Sequence, residues 1–506
     1  MPTGTTSEIS TFKGQERRLR ADRIGLAGLL LSVVAASAPL MVTAGVMPTT
    51  YGTMGIVGQP LLFVILGVVL TLFSFGYAEM SRHVHNAGAF YAYIARGLGG
   101  TAGAAASVVA LVAYSALQFG IYGIFGFELA GLLDKHLGIS IAWWVPALAA
   151  VLAVGVLGWL KIDLNAKVLG ALLLVECVMV VVFDFAGIAS PGKEGVSFHA
   201  FDPTTLGGGL GTALCFTIAA FVGFEQAAVY AEETSRPQVV VARVTFLAVG
   251  FVALFFAVSS WALSVAAGPG SVVGLAREQG PNLLFALTED RLGGAVADVM
   301  HVFYVTGMFA AMLSFHNVVA RYAFAMGREG LLPAAMGRTT KGSGAPAHGS
   351  LLQSAVSVLA VVLFAVTDGR PNGDPTAPIQ RLFTWTGNVG ALGVIVLMAA
   401  ASAAVIAFFV RRGAARAQAP RLIASGLAGL ALLVIGCYAV KDFDVLLGAD
   451  PGSPLRWILP GIIGAAVVAG ICFGVVLKYL RPAVHAGIGL GNQAFQLEKA
   501  AASETG

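Results

Sequence analysis

The chain alternates long apolar runs with short polar turns. Crossing a bilayer core takes about 20 apolar residues in a helix. Runs of that kind lie near 24–46, 57–79, 102–131, 142–160, 165–189, 210–231, 238–267, 294–322, 350–367, 381–410, 422–440 and 455–479. This pattern predicts twelve membrane-spanning helices, and an even count puts both chain ends on one side. The longest polar connections, near 190–209, 268–293, 328–349 and 368–380, are too short to bury a core of their own.

Two of the runs contain helix breakers. In the first, Pro39 follows the small residues Ala35, Ala36, Ser37 and Ala38. Proline removes a helical donor and clashes with the preceding turn, so the run is either kinked or interrupted there. In the sixth, Gly223 lies between Val222 and Phe224, with Glu225 close behind. An acid in mid-membrane costs about 2.5–3.5 kcal/mol on insertion scales, so glycine and acid together favour a functional break. These runs open two sets of five, 1–5 and 6–10. Interruptions at matching positions of two halves point to an inverted-repeat transporter with its site at the midplane. Open N–H groups in the first span suit a carboxylate, and freed carbonyls in the sixth suit an ammonium.

Composition agrees with lipid as the solvent: of 506 residues, 57% are hydrophobic and 11% charged, against about 25% charged in soluble domains. Charge then sets orientation. With the N-terminus inside, 22 of the 30 Lys and Arg residues fall on the side of the tails, which predicts both termini in the cytoplasm of a cell inner (plasma) membrane. Met1 to Asp22 is polar and basic without an apolar core of its own, a tail rather than a signal peptide. Cys177, Cys215, Cys437 and Cys472 sit in apolar runs without paired spacing and read as packing residues. No cofactor or metal set is expected. The absence of H-E-x-x-H, G-x-S-x-G and Walker A patterns lowers an intramembrane enzyme, and the absence of a filter-like repeat lowers a channel.

Three stretches in order, FSFGYAEMSRHVHNAGAFYAYIARGLG (73–99), FVGFEQAAVYAEETSRP (221–237) and NVVARYAFAMGREGLLP (317–333), resemble the amino acid–polyamine–organocation superfamily. The resemblance implies an all-α polytopic fold with a five-plus-five inverted repeat, broken helices 1 and 6, and two extra C-terminal helices. Its expected layout is a tail at 1–22, repeats at 23–190 and 191–415, the added helices at 416–480 and a second tail at 481–506. It also implies a permease for an amino acid or related amine, coupled to a proton. An exchanger and a non-transporting nutrient sensor are the alternatives. By position, the backbone at Ala36, Ser37 and Ala38 would face a substrate carboxylate. Carbonyls at Ala219, Ala220 and Val222 would face its amine, beside Gly223, with Phe221 or Phe224 as a gate. Two departures stand out: ASAPL replaces the glycine-rich break of many members, and His85 stands where a proline is frequent.

The remaining candidates are ionisable residues inside spans. Many relatives have a lysine nine residues after the basic residue that opens the fifth span, and counting from Lys167 lands on Glu176. A carboxyl there is a candidate for proton coupling or a neutral hydrogen-bonded tie between helices. Glu225 carries the same two readings. Ser314 could offer sodium an oxygen. Glu128 and Asp184 are expected to be solvated at span ends, and His301, His316 and Asn317 to pack or bond between helices. Trp385 and Asn388 are candidates for the substrate path, and Glu232, Glu233, Arg236 and Arg82 for a cytoplasmic ion network.

Overall fold

The structure is a computed structural model that describes residues 19, 24–160, 162–207, 210–340, 344–367, 377–448, 450 and 452–491. Most of the expected 1–22 tail, the end of the second tail and Lys161 lie outside the described residues, as do the side chains of 162–169, Lys167 among them.

Twelve spans are present among the described residues. The first is split into Leu26–Ala35 and a second half, Pro39–Met41 through a π-turn to Met47–Met54. Then come Gln59–Ser81, Gly100–Leu137, Trp144–Trp159 and Ile162–Ala189. The sixth begins as Leu210–Ile218 and continues not as α-helix but as turns around the 3-10 segment Phe224–Ala228. Pro237–Ala267, Gly294–Arg328, Ala347–Thr367 and Thr384–Arg411 complete ten, and Ala419–Lys441 and Leu455–Leu480 are the added pair. Ten of the twelve are long and apolar enough to cross a bilayer as they stand; the fourth is short and the sixth is broken.

Packing follows an exchange of each span with the one five later. Spans 1 and 6, 2 and 7, 3 and 8, and 4 and 9 touch as counterparts. The 1–5 contact recurs as 6–10, 3–10 as 8–5, 1–7 as 6–2, and 3–4 as 8–9. Because five is odd, each span runs antiparallel to its counterpart, which makes the repeat an inverted one. Val68, Leu152, Leu254, Val366 and Leu480 are exposed on the outside, a belt that hydrocarbon solvates and water would not.

The connection near 268–293 folds into two short helices, Val272–Gln279 and Asn282–Leu292. The former lies on the end of the first span, where Arg277 Nε donates to the Gly52 carbonyl at 2.9 Å. The described residues next to the two tails meet the same face. Ile24 pairs with Thr234 at the exit of span 6, and Gly489 and Gly491 reach Glu329 at the exit of span 8.

Small residues set the closest approaches, as expected where no hydrophobic effect drives helices together. Gly470 and Gly474 of span 12 form a G-x-x-x-G pair against the backbone of Ala105 and Thr101 in span 3, where a Cβ on Gly470 would lie 2.5 Å from Ala105 Cα. Gly470→Ala is expected to destabilise by about 1–3 kcal/mol through overpacking. Gly464→Ala, with nothing within 4 Å, should leave a thermal melt of the detergent-solubilised protein unchanged.

Candidate functional site

The interruption of span 1 follows from its residues. Ala36, Ser37 and Ala38 donate their N–H groups back to Val33, Val34 and Ala35 at 3.3, 3.0 and 3.2 Å, tightening the last turn. Ala38 takes a left-handed backbone, φ 41, and Pro39 starts the second half without an N–H. The three small residues therefore spend their donors inside the first half. The Leu40 N–H is a donor that the second half presents at the break, and Glu176 Oε2 accepts it at 3.2 Å.

Glu176 comes from span 5, is fully buried, and has Oε1 without a hydrogen-bond partner. Its carboxyl lies against Gly307 of span 8, where even a Cβ would collide with it. The residue singled out in the fifth span thus sits where spans 1, 5 and 8 meet.

The sixth span breaks by a different route. After Ile218 the backbone bonds tighten to three-residue steps, Ala219 to Phe216, Ala220 to Thr217, Phe221 to Ile218 and Val222 to Ala219. At Gly223 φ is 132, a conformation that L residues rarely adopt. Among the described residues, the Ala220 and Val222 carbonyls accept no hydrogen bond, whereas that of Ala219 takes the Val222 N–H. Glu225 folds back on this turn: Oε2 accepts the Gly223 N–H at 2.9 Å and Oε1 accepts the Tyr114 hydroxyl of span 3 at 2.6 Å. Tyr77 of span 2 donates to the Glu225 carbonyl at 2.9 Å. A Cβ on Gly223 would meet Ala36 Cβ at 2.7 Å, so the two interruptions touch. Phe221 and Phe224 are buried against Phe63 and Phe73 of span 2. Ser314 Oγ, 3.0 Å from Gln226 Oε1 and 3.4 Å from the Ser32 carbonyl, ties both broken spans to span 8.

The sequence model of the amino acid permease family matches residues 29–483. The chain belongs to the amino acid permease family. It is a secondary transporter of the amino acid–polyamine–organocation superfamily, a multi-pass membrane protein with a small-molecule substrate, and not an enzyme. No curated protein matches it. Among solved structures it is similar to Mhp1, a nucleobase-cation-symport-1 family transporter in a closed conformation with bromovinylhydantoin bound; identity is 14%, coverage 88% of this chain and 98% of that one, and the TM-score 0.47.

Elsewhere in the permease, several expected placements change. Glu128 and Asp184 are buried rather than solvated, with Glu128 2.8 Å from His301 Nε2 and Asp184 accepting the Ser259 hydroxyl at 2.8 Å. Low-dielectric surroundings make such partners obligatory. His316, expected to pack or bond between helices, does bond Ser350 at 2.7 Å between spans 8 and 9. Asn388 donates to the Thr384 and Leu446 carbonyls, which ties span 10 to the segment after span 11.

The tail-side ion network exists with other partners. Arg321 grips Glu233 through two bonds, at 2.6 and 3.1 Å, and Arg328 grips Glu232 at 2.6 and 2.8 Å. Arg82 pairs instead with Glu79, and Arg236 starts span 7 with a left-handed backbone. The bidentate geometry suits guanidinium forks, and Arg321 and Arg328 of span 8 supply them to both glutamates. Burial works against the ionised Glu232, yet the Arg328 bonds and charge and the Ala87 N–H hold its carboxyl below the usual range. Burial pushes Glu329 up against the pull of the Gly489 N–H, Arg328, Asn86 and the Gly491 N–H.

Sequence reasoning missed Tyr114, Gln226, Gly307 and Leu40. A mid-span tyrosine needs a partner for its hydroxyl, which is the signal that Tyr114 offered. Because Arg321 and Glu233 are nearly fully buried, Arg321→Gln should cost about 3–5 kcal/mol by leaving a buried charge unpaired. Adding Glu233→Gln should recover part of that loss in the same thermal melt.

Proposed function

We propose that this permease moves an amino acid or a related amine together with a proton, by alternating access. We place it in the inner (plasma) membrane with both termini in the cytoplasm, as the Lys and Arg distribution supports. The observation that carries the reading is the Leu40 N–H held by Glu176.

A substrate carboxylate seeking the open end of span 1 competes with Glu176 for one donor. Two carboxylates sharing one site cannot both stay ionised at low cost. Protonating Glu176 removes the repulsion and frees the donor, so proton and substrate carboxylate enter together. The ammonium end suits the Ala220 and Val222 carbonyls, at the negative end of Leu210–Ile218. Glu225, bonded to Tyr114 and its own turn, is the second proton-coupling candidate and a tie between span 6 and span 3. Once the proton leaves on the far side, Glu176 retakes Leu40 and expels the carboxylate.

The occupied donor also favours a second reading, an amine without a carboxylate that leaves Glu176 in place. Uptake into proteoliposomes, with amino acids and their decarboxylated amines under an inward proton gradient, separates the two. One coupled proton supports about tenfold accumulation per pH unit. Wild type should accumulate an amino acid to that extent, and Glu176→Gln should abolish accumulation while retaining binding. Amine uptake indifferent to Glu176→Gln supports the second reading. Gradient-independent counterflow supports an exchanger, and binding without flux a sensor.

A further inference from the structure

A cleft of ≈ 360 Å³ opens on the lipid-facing side between spans 5 and 7. Phe185 and Ile188 form one wall and Phe251, Leu254 and Phe255 the other. Phe185 and Leu254 are 73% and 70% exposed, so the cleft faces hydrocarbon. Its lining is apolar except for Asp184. That side chain is only 6% exposed; Oδ2 accepts from Ser259, and Oδ1 has no hydrogen-bond partner.

A buried carboxyl oxygen left open is costly unless something donates to it, and depth narrows the donor. Asp184 lies about 7.5 Å inside the span end at Ala189, five residues at 1.5 Å each. Two residues beyond Ser259, Trp261 donates to the Ser197 carbonyl at 2.8 Å and stacks on Phe198, and tryptophan is enriched at the membrane–water boundary. The carboxyl thus sits just under the headgroups of the leaflet opposite the tails. At that depth it has an acceptor to offer and an apolar slot beside it.

We infer that this cleft binds a phospholipid with an ethanolamine headgroup, an acyl chain lying between Phe185 and Leu254 and the ammonium donating to Asp184. The ammonium complements the acid in charge and carries N–H donors, which a choline headgroup lacks. A glycerol headgroup offers hydroxyls without the charge.

The test delipidates the purified full-length protein and titrates it with phosphatidylethanolamine, phosphatidylcholine and phosphatidylglycerol, reading retained lipid by native mass spectrometry. Wild type should retain the ethanolamine lipid roughly tenfold over the choline lipid, the scale of one charge-assisted hydrogen bond. Asp184→Asn should erase the preference and Ser259→Ala should keep it. Equal retention of the ethanolamine lipid and either other lipid by wild type, which needs no variant to fold, overturns the site. So does a preference that survives Asp184→Asn. A preference lost equally in Ser259→Ala assigns Asp184 to the helix–helix bond alone and overturns it too.

Discussion

Inside a bilayer every open backbone group must find a partner within the protein, and this permease opens two helices in mid-membrane. Its interior is organised around that demand. At span 1 the loose donors turn back into the preceding helix, proline deletes one, and a carboxyl from span 5 takes the Leu40 N–H. At span 6 the loose ends shorten into three-residue turns, and Glu225 caps the Gly223 N–H. Each break thus recruits an acid that would otherwise be too costly to bury. The two acids then reach outward, Glu176 to span 8 at Gly307 and Glu225 to span 3 at Tyr114.

Such caps are exchangeable in a way that a continuous helix is not. A ligand group of the same chemistry can replace a side-chain carboxyl at a backbone donor for little net change in hydrogen bonding. The proposed mechanism places the exchange of substrate and proton at this break for that reason. The closed tail-side face supplies the other requirement of alternating access. The Arg321–Glu233 and Arg328–Glu232 pairs join the exit of span 6 to that of span 8, and Glu329 adds the segment after span 12 through two glycine N–H groups. Opening that face means parting buried ion pairs, a cost of several kcal/mol that substrate binding must help offset.

Much of this was legible in the sequence because its causes are local. Run length gave the spans, Pro39 and Gly223 gave the breaks, and an acid inside an apolar run marked Glu176 and Glu225 as unusual. What was not legible depends on rotation of helices about their axes and on distant pairing. Leu40 and Glu176 are 136 residues apart, and nothing in either run says that they face each other. The same holds for Glu232 and Glu233, whose nearest basic residue in sequence, Arg236, is not the one that grips them. Glu128 and Asp184 lie close enough to span ends to read as solvated, yet neighbouring spans extend past them and bury both. The second half of span 6 was legible as apolar but not as non-helical, since apolar length alone does not reveal that its bonds tighten after Ile218.

Exchange of one carboxylate for another at Leu40 has a direct signature, the uptake of a proton when substrate binds. Mixing saturating amino acid with purified protein in weakly buffered solution near neutral pH, and reading the pH change, measures it without any gradient or flux. The account predicts close to one proton taken up per substrate bound in wild type and none in Glu176→Gln. Tight binding with no proton uptake in wild type, or uptake undiminished in Glu176→Gln, would contradict it.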